Sequence, residues 1–205
     1  RPYFGKMQAI YSGSSGAKYT LSSPVIQSGQ RSRFTHRYRV GNRRLDYYLD
    51  ADLEYDPEDY NVLLQRAIEH DEKVVYGSRF LNPSNKHSYL RFYIGGRLVT
   101  FVTNLLYRQH LTDEPTCYKF FDTRFLKSIP LTCQGFEFCP EVTAKVCKRG
   151  IKIHEVPIHY YPRSIAEGKK INWKDGLQAI WTLLKTALKI KPMKKKNSYT
   201  FKQFF

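Results

Sequence analysis

The sequence predicts an α/β fold, a mostly parallel sheet flanked by helices, and three observations predict it. Downstream of Leu45, short apolar runs alternate with a helical pattern in "LDYYLDADL", "DPEDYNVLLQRAIEH" and "KVVYGSRF". A strand–helix–strand alternation of this kind implies βαβ units on a parallel sheet. The helical pattern returns in "LRFYIGGRLVTFVTNLLYRQH", "EFCPEVTAKVCKRG" and about Trp173 to Lys189. Finally, 205 residues with 41% hydrophobic and 15% aromatic content suit one domain with a buried core.

Residues 1–45 contain no acid, few aliphatic side chains and the Ser/Gly-rich "YSGSSGAK". Neither helix nor strand periodicity is sustained there, so a poorly packed arm or a few short irregular strands are expected. "LDYYLDADL" then reads as a strand whose end delivers Asp50 and Asp52 to a sheet edge. Next comes a strong helix start, with Asp56 as N-cap, Pro57 at the first helical position and Asp59 as the capping-box acid. Leu63, Leu64, Ala67 and Ile68 form the stripe that this helix buries. "KVVYGSRF" is a second short strand, and "LNPSNKHSY" a polar loop before a long helix weakened by Gly95 and Gly96. "TDEPTCYKFFDTRFLKSI" reads as a loop, a strand and a short helix. Gly150 suits the C′ position of the amphipathic helix "EFCPEVTAKVCKRG". "IKIHEVPIHYYPR" is an alternating strand limited by Pro157 and Pro162, and "SIAEGKKINWKDG" a basic loop. The final helix gathers Trp173, Leu177, Ile180, Trp181, Leu184 and Leu188 on one side, a stripe expected to lie on the chain's own core. Three regions follow: a basic segment 1–45, a folded core 46–190 and a basic, aromatic tail 191–205.

Charge narrows the partners. The chain holds 34 Lys and Arg against 18 Asp and Glu, a net +16. From Lys145 onward, fifteen basic residues face three acids, Glu155, Glu167 and Asp175. Such an excess is either a solvated surface or an attraction to phosphates of nucleic acid, nucleotide or lipid headgroups. The four cysteines, Cys117, Cys133, Cys139 and Cys147, form no C-x-x-C pair, so reduced thiols in a cytosolic setting are expected rather than zinc. No apolar run reaches the ~20 residues of a membrane span.

Within this basic chain, Asp50 and Asp52 stand one residue apart at a strand end. Hard divalent cations take carboxylate oxygens, and Mg²⁺ completes its shell with phosphate and water. Short acidic pairs also cap helices and fill loops, and aspartyl phosphatases use the same spacing. Phosphatases usually carry Thr or Val two residues beyond the second Asp, where Glu54 stands here.

The ordered strings "DADLEYDPEDY", "VVYGSRF", "TDEPTCYKFF", "FEFCPEVTAKVCKRG", "IHEVPIHYYPR" and "EGKKINWKDG" resemble family 2 glycosyltransferases. The likeness is strongest to the polyprenyl- or dolichyl-phosphate sugar synthase branch and runs from Asp46 to Ile190. It implies a GT-A, Rossmann-type sheet. It also implies a metal-dependent, inverting transfer of a hexose from a GDP- or UDP-sugar to polyprenyl phosphate, at the cytoplasmic side of a membrane. By the same resemblance Asp50 and Asp52 hold Mg²⁺ or Mn²⁺, with Glu54 either a further ligand or a solvated acid. Asp52 and Asp113 are the catalytic acids. Arg79, Arg91, Arg163, Lys169 and Lys170 bind the acceptor and donor phosphates, Gly168 lends the basic loop its flexibility, and Glu141 orients Arg79 or Arg163. Thr116 and Lys119 share the Asp113 loop. Lys174, Lys185, Lys189 and Lys194–Lys196 are available to an anionic membrane surface.

Family members usually open with an apolar strand, a Pro-x-Tyr-Asn-Glu-like turn and a Gly-Lys-Gly-like segment that read the nucleotide base. Residues 1–45 show neither motif, so the fold is expected to be incomplete at its start and the base site is unassigned. Two other readings stand beside this one. A catalytically inactive remnant would bind metal or lipid alone, and a basic nucleic-acid binder would use Arg, Lys and aromatic side chains. No nucleic-acid motif supports the latter, and the Asp50–Asp52 pair would repel phosphate unless it held a metal.

Overall fold

A computed structural model describes residues 25–28, 31–40, 43–50, 54–56, 58–86, 89–133, 137–162 and 173–188, with the backbone alone over 25–50. Strands β1 (Val25–Ser28), β2 (Arg31–Val40) and β3 (Arg43–Asp50) form an antiparallel meander. The ten residues of β2 exceed the short irregular strands expected before Leu45, and β3 begins inside that segment.

Helix α1 (Asp59–Glu69) follows, with its entry held by Asp56, whose carboxylate accepts the Glu58 N–H at 2.9 Å. Asp56 is expected as the N-cap, but the N-cap is Glu58, which has no side-chain cap bond, and regular helix begins at Asp59; Pro57 lies outside the described residues. Tyr60, Leu63, Leu64 and Ala67 are buried at helical spacing. Strand β4 (Val74–Ser78) is buried at every position. Helix α2 (Leu90–Tyr107) runs unbroken through Gly95 and Gly96. Strand β5 (Lys119–Asp122) leads straight into α3 (Thr123–Lys127), where the Asp122 carboxylate caps the Phe125 N–H at 3.0 Å. Helix α4 (Phe138–Lys148) ends as predicted, with Gly150 at φ +68°, a conformation that favours glycine. Strand β6 (His154–Pro157) is shorter than the alternating pattern suggested, and α5 (Trp173–Ala187) is the last element described.

The sheet order is β1-β2-β3-β5-β4-β6. The mostly parallel sheet expected from the sequence is not what forms: β4–β6 is the parallel pairing, and every other described pairing is antiparallel. The reason lies in one insertion. Strands β3 and β4, joined through α1, run in the same direction as the βαβ pattern predicts. The later strand β5 enters between them in reverse, antiparallel to both.

Successive residues of a strand face opposite ways, and the core divides accordingly. Val75 and Phe120 pack with Leu63, Leu64 and Ala67 of α1 on one side. Val74, Tyr76 and Phe121 pack with Leu126, Val142 and Val146 of α3 and α4 on the other. Gly77 lies where the chain leaving β6 crosses β4. A β-carbon there would stand 2.7 Å from Ile158 Cγ2 and 3.0 Å from Tyr118 Cβ. Outside these layers, Val99 of α2, Ala144 of α4 and Leu183 of α5 form a third cluster.

The face of α5 expected to be buried is instead largely open. Trp173 is 71% exposed and Trp181 59%, with Leu177 and Leu188 likewise exposed, whereas Leu183 is fully buried. Ala179 and Ile180 pack beside Leu183, so the helix is rotated to present its smaller apolar side to α2 and α4.

Candidate functional site

Because β3, β4 and β6 run the same way, their carboxyl ends meet at one end of the sheet, joined there by the start of the reversed β5. Ligand sites of α/β sheets lie outside the carboxyl ends of strands. That end brings together Asp50 as the last residue of β3, Arg79 just beyond β4, the 112–118 loop before β5 and Tyr160 beyond β6. A β-bridge between Tyr55 and Tyr160 ties the segment after β3 to the segment after β6.

Arg79 and Asp113, two predicted site residues 34 positions apart, form a bidentate pair. Arg79 Nε donates to Asp113 Oδ2 at 2.7 Å and Nη2 to Oδ1 at 2.7 Å, while the Arg79 backbone N–H donates to Oδ2 at 3.0 Å. Asp113 is fully buried. Burial works most strongly against the Arg79 charge, but the charge and hydrogen bonds of Asp113, together with Tyr55 and Tyr160, outweigh it and hold the guanidinium ionised. The fork reaches 5.1 Å from the Tyr160 ring centroid and 5.9 Å from that of Phe80. With both oxygens of Asp113 engaged on Arg79, this acid positions the guanidinium rather than standing free as a base.

A second carboxylate holds the loop. Glu155 of β6 accepts the N–H groups of Thr112 at 2.7 Å and Asp113 at 2.9 Å, together with the Thr112 hydroxyl at 2.9 Å. Burial raises its pKa, and these hydrogen bonds oppose the rise. Ser78 meets Thr112 hydroxyl to hydroxyl at 2.6 Å. Asn85 joins the far side: its amide donates to the carbonyls of Arg79 at 2.7 Å and Ile158 at 2.8 Å, and its oxygen accepts the Tyr160 N–H at 2.9 Å. Glu54 is buried and accepts the Tyr160 hydroxyl at 3.0 Å, while its carbonyl accepts the Tyr161 N–H at 2.7 Å.

Asp59 does not complete a capping box. Its carboxylate instead accepts the His159 backbone N–H and meets the His159 ring Nδ1 at 2.7 Å. This hydrogen bond raises the pKa of the exposed imidazole.

Other predicted residues lie elsewhere. Arg91 is exposed on the first turn of α2, with its guanidinium 4.8 Å from the Phe92 ring centroid. Glu141 does not orient Arg79. Its carboxylate accepts the Thr132 N–H at 3.0 Å and the Cys133 N–H at 2.7 Å and pairs with Lys145, so it organises the 131–133 turn. Those hydrogen bonds outweigh its burial and lower its pKa. Thr116 accepts the Tyr118 N–H at 3.2 Å. Buried Lys119 donates to the Glu114 carbonyl at 2.6 Å and lies over the Tyr76 ring at 3.7 Å. The Asp50 side chain, Asp52, Arg163, Gly168, Lys169 and Lys170 lie outside the described residues.

The sequence reading missed Tyr160, Glu155, Asn85 and Thr112. An acid inside the apolar run "IHEVPI" was the available signal for Glu155, whereas nothing local marks Asn85.

Among the described residues no group of three or more His, Cys, Asp or Glu could hold a metal. Asp50 closes β3, and Glu54, four residues on in the sequence, is steadied by the Tyr160 phenol; carboxylate oxygens of this kind are the donors that a hard cation takes.

No known family profile and no solved structure matches the chain. It is similar to "Glycosyltransferase AglJ" of Haloferax volcanii, 29% identical over 144 residues, which cover 68% of this chain and 46% of that protein. It is also similar to "Uncharacterized protein SF2094/S2216" of Shigella flexneri, 33% identical over 69 residues, covering 33% of this chain and 42% of that protein. The chain thus spans less than half the length of these curated relatives, and its relationship is to a glycosyltransferase.

Proposed function

We propose that this chain carries part of an inverting glycosyltransferase that moves a hexose from a GDP- or UDP-sugar to polyprenyl phosphate. The observation that carries the reading is the Arg79–Asp113 pair, fixed beside the end of the strand that supplies Asp50. A lipid phosphate is already ionised at neutral pH, so its oxygen attacks the anomeric carbon without a strong general base. Arg79 spends Nε and Nη2 on Asp113, which leaves Nη1 to orient that phosphate. Asp113 keeps the guanidinium in one rotamer, and Glu155 keeps Asp113 in place. Arg91, Arg163, Lys169 and Lys170, with Gly168 as hinge, supply further phosphate contacts. Asp50, Asp52 and Glu54 are the residues that would hold Mg²⁺ or Mn²⁺. The ion's contribution is to neutralise charge on the departing nucleoside diphosphate.

The acceptor is a membrane lipid, so the chain works as a peripheral protein on the cytoplasmic face. Among the described residues no helix is long and apolar enough to cross a membrane. The test is transfer of label from GDP- and UDP-hexoses to polyprenyl phosphate with Mn²⁺ or Mg²⁺. Transfer is expected, and Asp52→Asn should lower it by about a hundredfold or more, the scale of losing a major electrostatic stabiliser. Absence of transfer with every donor would favour a catalytically inactive remnant, and full activity in Asp52→Asn would remove the metal assignment.

A further inference from the structure

Helix α2 carries residues that a helix by itself does not favour. Gly95, Gly96, Thr100, Thr103 and Asn104 are all poorer helix formers than Ala or Leu, yet the helix runs unbroken through them. Local choices that work against an element point to a use outside it. Gly96, Arg97, Thr100 and Asn104 fall on one face at helical spacing, and that face meets the loop bearing Asp113. A β-carbon at Gly96 would lie 3.6 Å from Pro115 Cγ. Arg97 Nη1 donates to the Thr112 carbonyl at 3.0 Å. The Thr100 hydroxyl donates to the Gly96 carbonyl at 2.9 Å and accepts the Glu114 N–H at 3.0 Å. Asn104 grips Leu111 twice: its oxygen accepts the Leu111 N–H at 2.9 Å, and its amide donates to the Leu111 carbonyl at 2.8 Å.

Glu155 takes the N–H groups of Thr112 and Asp113, so every backbone N–H from Leu111 to Glu114 is bound by a side chain of another element. The Glu114 carbonyl accepts from buried Lys119 at 2.6 Å. Thr100 and Glu114 are buried as well, so water offers neither backbone group of Glu114 a second partner. The freedom of this loop is removed in advance, which is what a site needs if its reacting groups are to stay in place.

We infer that this face of α2, together with Lys119, is a positioning surface: it fixes the backbone of residues 111–114 and, through Asp113, the direction in which Arg79 points. Asp113 is the link, because both its oxygens lie on Arg79. A shift of the loop therefore carries the guanidinium with it. The bearing on acceptor binding rests on the transfer proposed above, whereas the positioning does not.

Solvent exchange at Arg79 Nε–H, followed by NMR on the ¹⁵N-labelled full chain with neither sugar nor lipid present, tests the positioning. The Arg79 signal is the one lost in Arg79→Lys. Amides of the buried strand β4 report opening of the whole fold. Thr100→Val keeps nearly the same shape and removes the acceptor. It should speed exchange at Arg79 Nε–H about tenfold beyond any change in the β4 amides, and Thr100→Ser should restore the parent rate. Arg97→Ala, at an exposed position, should act in the same direction by about threefold and serves if Thr100→Val does not fold. Exchange at Arg79 that rises only in step with the β4 amides overturns the inference, because the contacts then serve stability alone. So does Thr100→Ser exchanging as fast as Thr100→Val. Since no substrate enters, the outcome stands apart from the transfer assay: a chain that holds Arg79 this way and transfers nothing would remove the proposed reaction and keep the positioning surface.

Discussion

Arg79 and Asp113 share charge-assisted hydrogen bonds in a place where the Arg79 side chain is 19% exposed and that of Asp113 is fully buried. Removing one member of a buried pair strands the other, at about 3–5 kcal/mol, more than the pair contributes against apolar replacements. Asp113→Asn should therefore lower stability by about 3 kcal/mol in urea unfolding and reduce sugar transfer, whereas Arg79→Met/Asp113→Leu should recover most of the stability and none of the transfer. A double variant as unstable as Asp113→Asn would speak against the pair as the cause. Each partner was legible in the sequence as a candidate, Arg79 through "GSRF" and Asp113 through "TDEP". Their pairing was not, because a contact across 34 residues has no local signature. Glu141 shows the converse: its place on a helix was legible, but its partners are the nearby Thr132, Cys133 and Lys145.

Among the elements, α1 and the chain leaving β6 are clasped by Asp59 and His159. The hydrogen bond to Asp59 raises the His159 pKa above its ordinary value near ~6.5. The protonated ring's contribution is thus fully present below the unfolded-state value and lost as pH rises through the folded-state value. The melting temperature lost in His159→Gln should be larger near pH ~5.5–6 than near pH ~8.5, and a loss constant across that range would refute the clasp. The backbone N–H of residue 159 still reaches Asp59 in the variant, so the comparison isolates the ring. The end of α4 was readable at this scale, from Gly150, because caps act within one turn, whereas the start of α1 lies beyond the expected Asp56. The run Phe34, His36, Tyr38, Val40 alternates with Arg33, Arg37 and Arg39, and this period of two was the missed signal for β2. The open face of α5 could not be read, since an amphipathic pattern says that a stripe is covered but not by what.

Across the whole molecule, three parallel-running strands and one reversed strand bring carboxylates and an arginine to one end of a chain of net charge +16. A cation held at 50, 52 and 54 by the folded chain alone would stabilise that fold by linkage, about 2.7 kcal/mol at a hundred times its Kd. Mn²⁺ should accordingly raise the melting temperature by several degrees, roughly what ~2–3 kcal/mol gives a domain of this size. Asp52→Asn should abolish the rise, and a rise that persists in the variant would move the ion elsewhere.

By itself the sequence determined the local decisions: where α4 begins and ends, which face α1 buries, that Val74–Ser78 is a buried strand, and that acids cluster around the end of β3. Periodicity, caps and spacing act over a few residues and can be read in order. Only the tertiary structure decided that β5 lies between β3 and β4, that Asp113 meets Arg79, and that α2 and α5 turn their largest apolar side chains outward. Those outcomes depend on which surfaces compete for the same neighbour, a comparison made across the whole chain and not within any one segment.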